Sequence, residues 1–391
     1  MSGLDGHRVY LDWNATAPLR PEARAAMLEA MDIVGNPSSV HSEGRAAKAI
    51  VETARRRVAA FADCDTDQVV FTSGATEDAA ALTFGRLAGP DRDPVASARQ
   101  VHVPATSHEC LLAHKHLVES ESDSVDGDVL AMGLACGETG RLCEPTYRAN
   151  RQGSDMLQGW YANEDGAEYG PAGRLHLDVT QFVGRIPFSY KALSSAGSGR
   201  ITAFFSGHKI GSAKGVGASL QDARLGSDPA LKGGGQERGR RSGTENVIGI
   251  AGIGAAAQAA RHDLETGVWD RVEKIRNILE ETLAEAAPDA IFFASDSQRL
   301  PNTSCFAVPG WRGETQVMQM DLAGFAVSAG SACSSGKVDK ASRVLAAMGF
   351  DEITASSAIR VSMGPTTTEA EVMAFADAWI DHYRRRKARA A

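Results

Sequence analysis

The chain has 391 residues, of which 43% are hydrophobic and 23% are charged, as is usual for a globular protein that folds in water. This length predicts two domains or one large α/β unit with a sizeable core. The net charge of −8 and the lack of a basic stretch interleaved with aromatic residues argue against nucleic-acid binding. Because the sequence has neither an apolar run long enough to span a membrane nor a signal peptide, we expect a cytoplasmic protein.

Six cysteines lie at positions 64, 110, 136, 143, 305 and 333. None of them belongs to a CxxC pair, and the ligand spacing of a zinc site is absent. We therefore expect free thiols in a reducing compartment and no metal site.

Short apolar runs alternate with amphipathic segments, which predicts a mostly parallel sheet flanked by helices. Helices are predicted at Pro21–Met31 and at Ser42–Phe61, with Ser42 at the N-cap of the second. Strands are predicted at Gln68–Thr72, Met156–Tyr161, Leu175–Val179 and Ile201–Phe205.

The second half of the chain predicts a long helical stretch followed by a smaller domain. Residues Val247–Ala287 are almost all helix formers, and such a stretch often bridges two domains. Its possible bends are Gly249, Gly252, Gly254 and Gly267. Beyond it, strands are predicted at Asn302–Val308, Gln316–Met320 and Ile359–Met363. A closing helix is predicted at Thr367–Lys387, and its TTEAE start resembles a capping box.

The stretch Phe204–Gly217, FFSGHKIGSAKGVG, places a lysine just after an apolar strand. Burial lowers the pKa of a lysine, and a neutral amine can form an imine with an aldehyde. Ser206 and His208 stand beside Lys209 as small donors for an anion. The alternative interpretation is a surface lysine in a turn.

Two further stretches carry polar groups at the ends of predicted strands. Asp178 interrupts the apolar run LHLDVTQ, and a buried carboxylate needs a partner, which a protonated pyridine nitrogen or an arginine would provide. The stretch Phe71–Glu77, FTSGATE, opens a helix whose first N–H groups can bind an anion, although many helices simply begin with Ser or Thr. A phosphate cradle, a carboxylate and an imine-forming lysine are together the parts that bind pyridoxal phosphate covalently.

With these motifs the chain resembles the cysteine desulfurases of the fold-type I, class V aminotransferase lineage, of the kind that serve iron–sulfur cluster assembly. The resemblance covers YLDWNATAPLRP (Tyr10–Pro21), GNPSSVH (Gly35–His41), FTSGATE, SGHK, GGGQERGRRSGTENV (Gly233–Val247), AGSAC and SSAIRVSMG (Ser356–Gly364). It implies an α/β fold with a large cofactor-binding domain at 15–255, built on a mostly parallel, seven-stranded-type sheet. A smaller α+β domain at 1–14 and 256–391 would carry the catalytic cysteine. The expected partners are a second subunit and a sulfur-acceptor or iron–sulfur scaffold protein.

The resemblance implies a role for each matching residue. Lys209 would hold pyridoxal 5′-phosphate covalently, Asp178 would pair with the ring nitrogen, and His108 in ATSHEC would lie over the ring and move protons. Asn163 in YANEDG and Gln181 would contact the phenolic oxygen of the ring or its surroundings. The residues expected at the phosphate are Ala75, Thr76, Ser206 and His208, with Thr244 supplied by the second subunit. Asn36 and Arg360 would bind the carboxylate of L-cysteine.

Three of these residues have structural alternatives. Arg360 can be read as an ordinary strand-edge arginine, and His108 as a satisfied structural histidine. Asn36 can simply shape the Asn-Pro turn in which it stands.

The stretch Val327–Lys337, VSAGSACSSGK, holds a cysteine among small residues that cannot pack a core. Cys333 resembles the nucleophile of the family that forms a persulfide, on a loop that must travel between the cofactor and an acceptor. Gly330 and Gly336 would give this loop backbone freedom. The implied reaction converts L-cysteine into L-alanine and leaves the sulfur on Cys333. The other five cysteines are interpreted as structural or incidental.

The chain departs from the family between Gly166 and His176, where only nine residues, AEYGPAGRL, replace a longer stretch with a helix. A parallel crossover normally needs a dozen or more residues. We therefore predict that one surface helix is missing and that this face of the sheet is thinly covered or covered by something else. Asp165 also replaces a usual threonine near Asn163.

Other functions remain open at this point. One is another class V enzyme, such as a transaminase or a selenocysteine lyase, although a transaminase has no need of a cysteine on a glycine-rich loop. Another is a catalytically weakened paralogue that acts as a sulfur-relay or scaffold-binding partner, which only the shortened crossover favours.

Overall fold

The computed structural model of the chain describes residues 8–80, 101–115, 128–152, 155–164, 167–195, 200–221, 229, 231–330 and 341–390. The chain divides into two compact units. The small unit consists of Met1–Ala17, Ala135–Leu142 and Asp263–Ala391, and the large unit of Pro18–Leu134 and Cys143–His262. Residues 135–142 join the small unit although they stand in the middle of the predicted large domain. No helix within the described ranges is both long and apolar enough to cross a membrane.

The elements are numbered in chain order. The first are β1 (Val9–Tyr10), α1 (Pro21–Met31), α2 (Ser42–Ala62), β2 (Val69–Thr72), α3 (Ala75–Ala80), β3 (Val101–His102), α4 (Glu109–Leu112) and β4 (Val129–Gly133). The middle of the chain holds β5 (Thr146–Gln152), β6 (Asp155–Glu164), β7 (Ala167–Ala172), β8 (Arg174–Asp178), α5 (Tyr190–Ser195), β9 (Arg200–Ser206) and β10 (Gly217–Gln221). The last are α6 (Val247–Glu265), α7 (Val268–Ala286), β11 (Ile291–Phe292), β12 (Thr303–Ala307), α8 (Gly313–Leu322), β13 (Phe325–Ala326), β14 (Ser328–Ala329), α9 (Arg343–Ala347), α10 (Glu352–Ser356), β15 (Ala358–Ser362) and α11 (Glu369–Ala390).

The large unit is built on a sheet of six described strands in the order β2–β10–β9–β8–β4–β3. Strand β10 is antiparallel to both of its neighbours, and the other pairs are parallel. Buried residues run along these strands, among them Leu130, Met132, Leu175 and Leu177. Such continuous apolar runs are typical of a sheet with helices on both faces. The predicted α/β class with a mostly parallel sheet is confirmed.

The connection from β4 to β8 contains a separate three-stranded antiparallel sheet, in the order β5–β6–β7. The described part of this connection holds no helix, as predicted, and an antiparallel meander stands in its place. The strand predicted at Met156–Tyr161 exists, but it belongs to β6 of this small sheet and not to the parallel sheet. Antiparallel strands need only short turns, so three of them fit where a helical crossover would need more chain.

The long helical stretch is two helices, α6 and α7, separated at Gly267, whose φ of 71° is left-handed. The other glycines expected as bends lie inside continuous α6. Gly254 instead allows close packing, because a Cβ there would lie 2.6 Å from Cα of Ala54 in α2. At the start of α2 the predicted N-cap is wrong by one residue. His41 is the cap, and its Nδ1 accepts the N–H of Gly44 at 3.3 Å.

The small unit contains a four-stranded antiparallel sheet, β11–β12–β15–β14, and the parallel pair β1–β13. The strand predicted at Gln316–Met320 is wrong, because these residues lie in α8. Gln316 and Met320 are both fully buried one helical turn apart, and Nε2 of Gln316 donates to the carbonyl oxygens of Trp311 and Ser357. Tertiary contacts therefore determine that this segment is a helix and not a strand.

The capping box predicted before the closing helix is confirmed. The backbone N–H of Thr368 donates to Oε2 of Glu371 at 2.8 Å, and the N–H of Glu371 donates to Oγ1 of Thr368 at 3.3 Å. Reciprocal bonds of this kind satisfy two N–H groups that a helix start would leave unpaired. They fix the start of α11.

Candidate active site

Lys209 lies in a short 3₁₀ turn, Gly207–Lys209, directly after the carboxyl end of β9. The turn is held on both sides. The N–H of Gly207 donates to the carbonyl oxygen of Val216 at 2.9 Å, and Nε of Arg20 donates to the carbonyl oxygen of Ile210 at 2.8 Å. The Lys209 side chain is half-buried. The backbone that carries this lysine is therefore fixed at the carboxyl ends of the strands of the large unit. Ligands of open α/β sheets bind at these strand ends.

Ser206 and Ala75, two residues expected at a phosphate, lie side by side. The backbone N–H of Ala75, at the start of α3, donates to Oγ of Ser206 at 2.9 Å. Glycines make this approach possible, since a Cβ on Gly217 would lie 2.6 Å from Cα of Gly74. Thr76 follows Ala75 with an exposed side chain. Two strand ends therefore bring a hydroxyl and the first N–H groups of a helix together.

His208 is half-buried next to these groups. Burial, together with the positive charges of Lys209 and Lys214, lowers the pKa of His208 to about 4. The imidazole is therefore neutral at pH 7. It can contact an anion as a neutral N–H donor, and it adds no positive charge to the site.

Asp178 ends β8, the strand beside β9. Its Oδ1 accepts the N–H of Thr180 at 2.9 Å, and Sγ of Cys110 lies 3.9 Å from its Oδ2. Burial, and then the nearby Asp178, raise the pKa of Cys110 far above that of an ordinary thiol, so Cys110 is a neutral donor. Within the described ranges no arginine forms an ion pair with Asp178. The described part of the large unit therefore does not contain the buried arginine pair that the sequence left open.

His108 caps helix α4, and its Nδ1 accepts the N–H of Cys110 at 3.2 Å. Its ring is exposed. Cys110 therefore lies between two site residues: its backbone N–H binds His108, and its sulfur approaches Asp178. The structural role that the sequence left open for His108 is present, and its exposed ring also leaves room for contact with a ligand.

Three other expected cofactor residues have different surroundings. Gln181 is half-buried in the turn after β8, and its carbonyl oxygen accepts Nη1 of Arg185 at 2.6 Å. Asn163 pairs with Glu168 in the three-stranded sheet, so its strand does not belong to the six-stranded sheet that carries Lys209. Thr244 is exposed, directly after Gly243, whose φ is 105°.

Asn36 shapes its own turn. Its Oδ1 accepts the N–H of Ser38 at 2.9 Å, and its carbonyl oxygen accepts the N–H of Ser39. The side chain is exposed. The turn-shaping alternative is therefore present, and a role at a substrate stays a prediction.

Arg360 lies on β15 in the small unit and is 6% exposed. Because β15 pairs with both β12 and β14, Arg360 is not on a sheet edge. One guanidinium nitrogen donates to Oδ1 of Asp12 at 2.8 Å, and another donates to the carbonyl oxygen of Gly137 at 2.9 Å. These two contacts hold the planar fork in one orientation.

Sequence reasoning missed Glu138, a buried carboxyl group in the segment after β4. Burial raises the pKa of Glu138 to about 7, although a hydrogen bond from Ser342 opposes the rise. Its only signal in the sequence is an acidic residue within the small-residue run ACGETG. Cys333, the expected nucleophile, lies outside the described residues.

Comparison with known proteins identifies a family and several relatives. The model of the aminotransferase class-V family matches residues 9–122 and 173–375. A cysteine desulfurase of Trichormus azollae is 36% identical over 373 residues, covering 93% of this chain and 90% of the relative. A cysteine desulfurase of Cereibacter sphaeroides is 36% identical over 386 residues, covering 93% of each. The solved structure of a NifS-like protein from Rickettsia africae aligns with a TM-score of 0.75 at 26% identity, over 97% of this chain and 100% of that one.

The family model leaves residues 123–172 unmatched, and this range contains the three-stranded sheet. Asn163 and Glu138 lie inside it, whereas Lys209, Asp178 and Arg360 lie in the matched ranges. The family match therefore does not extend to the segment that contains Asn163, and the role expected of Asn163 stays a prediction, as do those of the other site residues.

Proposed function

The chain belongs to the aminotransferase class-V family, and on this premise we propose that it is a cysteine desulfurase, which converts L-cysteine into L-alanine and transfers the sulfur to Cys333. Two relatives with this name, each 36% identical over most of both chains, support the activity. The observation that carries the proposal lies in the large unit: Lys209 follows β9, and Asp178 ends the adjacent strand β8.

The residues of the large unit fit pyridoxal phosphate, on which this family generally depends. Asp178 has only neutral donors within the described residues, so its charge is available to a protonated ring nitrogen. Ser206, the N–H groups at the start of α3 and neutral His208 fit a phosphate. Once bound, the cofactor supplies an aldehyde that bonds to the substrate amine and a ring that draws electrons from the α-carbon.

Each of these residues has a chemical task in the proposal. Lys209 would hold the cofactor through its aldehyde and would move the α-proton of the substrate. The Asp178 carboxylate would favour a protonated ring nitrogen by electrostatic attraction. His108 would lie over the ring and move protons. Gln181 and Asn163 would contact the ring oxygen or its neighbourhood.

Arg360 binds the substrate carboxylate in this proposal, because its planar fork matches the two carboxylate oxygens. The Asp12 carboxylate orients this fork from the protein side. Asn36 assists at the same carboxylate.

Cys333 is the sulfur acceptor. Its thiolate attacks the sulfur of bound cysteine, the bond between Cβ and sulfur breaks, and the carbon keeps the electron pair and takes up a proton. Overall, L-cysteine and the Cys333 thiol give L-alanine and a Cys333 persulfide, so all atoms and electrons are accounted for. A second subunit supplies Thr244 to the phosphate site, and a sulfur-acceptor or scaffold protein then receives the sulfur.

The test is a purified protein supplied with pyridoxal phosphate, L-cysteine and a reductant. We expect a yellow protein, and equal amounts of L-alanine and sulfide. The variant Cys333→Ala should keep the absorbance of the bound cofactor and stop sulfide release, whereas Lys209→Ala should lose the absorbance of the covalent complex. Turnover of an amino acid and a keto acid without sulfide would identify a transaminase instead. A colourless protein that forms no alanine would identify a sulfur-relay partner.

A further inference from the structure

Glu138 packs between two points of the small unit that are far apart in sequence. It is 5% exposed. Oγ of Ser342 donates a hydrogen bond to its Oε1 at 2.5 Å, and a Cβ built on Gly330 would lie 2.8 Å from the same oxygen. A side chain at position 330 would thus collide with the carboxylate. One carboxylate oxygen therefore accepts the Ser342 hydroxyl and fills the space that a side chain at position 330 would need.

These two contact points are themselves fixed. Oγ of Ser342 also accepts the N–H of Leu345 as the N-cap of α9, and the N–H of Ser342 donates to the carbonyl oxygen of Ala355. At position 330, a Cβ would lie 3.1 Å from Cβ of Ala358, the first residue of β15. Glu138 thus lies against the residue that follows β14 and is bonded to the N-cap of α9. Residues 331–341, which lie between these two points in the sequence, include Cys333.

The charge of Glu138 depends on pH near neutrality. Burial raises its pKa to about 7, against the hydrogen bond from Ser342 and the positive charges of Arg360 and Arg343. The other titratable groups that face it are Cys136 and Cys305, whose own pKa values are raised by burial and then by Glu138. Among these groups Glu138 is therefore the one that titrates near pH 7.

We propose that Glu138 is a positioning residue for sulfur transfer: its carboxylate binds the Ser342 hydroxyl, packs against Gly330 and so restrains the chain on both sides of the segment that contains Cys333. The inference rests on the proposed function, because these chain ends matter to catalysis only if Cys333 is the sulfur acceptor. An ionised Glu138 accepts the Ser342 hydroxyl and attracts Arg343, whereas a protonated one has no charge to hold them. The positioning should therefore weaken as the pH falls through 7.

The test compares Glu138→Gln with Glu280→Gln in the cofactor-loaded protein. Glu280 is a matched control, because it is a carboxylate of the same unit, paired with Arg299 and 13% exposed. In a single turnover with L-cysteine, Glu138→Gln should form alanine at least about tenfold more slowly than the native protein, because a misplaced Cys333 thiol would meet the substrate sulfur in a poorer geometry. The absorbance change on adding L-cysteine should remain, because that step does not use Cys333. The native rate should show an inflection near pH 7 that Glu280→Gln keeps and Glu138→Gln loses.

Hydrogen exchange gives a second readout that does not depend on activity. The amides of Ser342 and Leu345 should exchange faster in Glu138→Gln than in Glu280→Gln. If Glu138→Gln does not fold, Ser342→Ala, which removes the same hydrogen bond, carries the test through the rate of alanine formation. An unchanged alanine rate and unchanged protection would overturn the inference. Alanine formation by Cys333→Ala would instead overturn the proposed function, so the two failures are distinguishable.

Discussion

The sulfur of Cys110 lies 3.9 Å from Oδ2 of Asp178, so a neutral thiol approaches this carboxylate in the position where a cation would be expected. The other oxygen accepts a backbone N–H from Thr180. Neither donor neutralises the negative charge. Among the described residues of the large unit, Asp178 therefore has no cationic partner. Its charge is available to a protonated ring nitrogen.

The variant Asp178→Asn tests this relationship. An amide has no charge with which to hold a proton on a pyridine nitrogen, so alanine formation should fall by about 100-fold or more. The cofactor should remain attached through Lys209, which the absorbance spectrum checks. The matched variant Cys110→Ser keeps a neutral donor beside Asp178 and should change the rate by less than about tenfold. An Asp178→Asn protein that retains most of its activity would contradict the role of Asp178.

His208 predicts a pH dependence of stability. Burial, followed by the charges of Lys209 and Lys214, lowers the pKa of His208 from 6.5 to about 4. Between these values the unfolded chain binds a proton that the folded chain does not, so the free energy of unfolding should rise as the pH increases from 4 to 6.5. Urea denaturation at a series of pH values measures the slope. His208→Gln should reduce the slope, and the same substitution at exposed His262 should leave it unchanged.

The accuracy of the sequence predictions follows the range of the interactions that fix each element. Helix α1 has the predicted bounds, Pro21–Met31, because its pattern and the proline at its first position are local. Helix α8 was predicted as a strand, because the side chain of Gln316 is held by a carbonyl oxygen of Ser357, 41 residues away. No local pattern encodes such a contact.

The same distinction applies to the candidate site. The motifs identified Ser206 and Ala75, and the backbone N–H of Ala75 does donate to the Ser206 hydroxyl. They identified Arg360 but not its ion pair with Asp12, since these residues are 348 positions apart in the chain. Glu138 was missed for the same reason. Its hydrogen bond from Ser342 and its position beside Gly330 exist only in the folded chain.

The buried ion pair between Arg55 and Glu237 predicts a large effect on stability. The two groups form a bidentate pair at 2.7 and 2.8 Å, and Oε2 of Glu237 also accepts the N–H of Phe71 in β2. Glu237→Ala would leave the buried guanidinium with only the half-exposed Glu52 as a counter-ion, and breaking a buried pair typically costs about 3–5 kcal/mol of unfolding free energy.

Glu314→Ala is the control for this measurement. Its partner Arg312 is 3.7 Å away and both side chains are largely exposed. An exposed pair of this kind contributes about 1 kcal/mol or less. Urea denaturation of the two variants compares the costs directly. Equal costs would show that burial does not strengthen the Arg55–Glu237 pair.

The cysteines predict selective chemical modification. Burial, with the nearby Asp65, Asp63 and Asp67, raises the pKa of Cys64 to about 12, and burial also raises the pKa of Cys110, Cys136 and Cys305. Since the thiolate is the reactive form, all four should react with iodoacetamide at pH 8 more slowly than an ordinary thiol, Cys64 by roughly 1,000-fold. The proposed acceptor must be a thiolate during catalysis, so Cys333 should react first. Peptide mass spectrometry after short exposures identifies the modified residue. If Cys333→Ala keeps a rapidly alkylated thiol, that thiol, and not residue 333, becomes the candidate that takes the sulfur from the substrate.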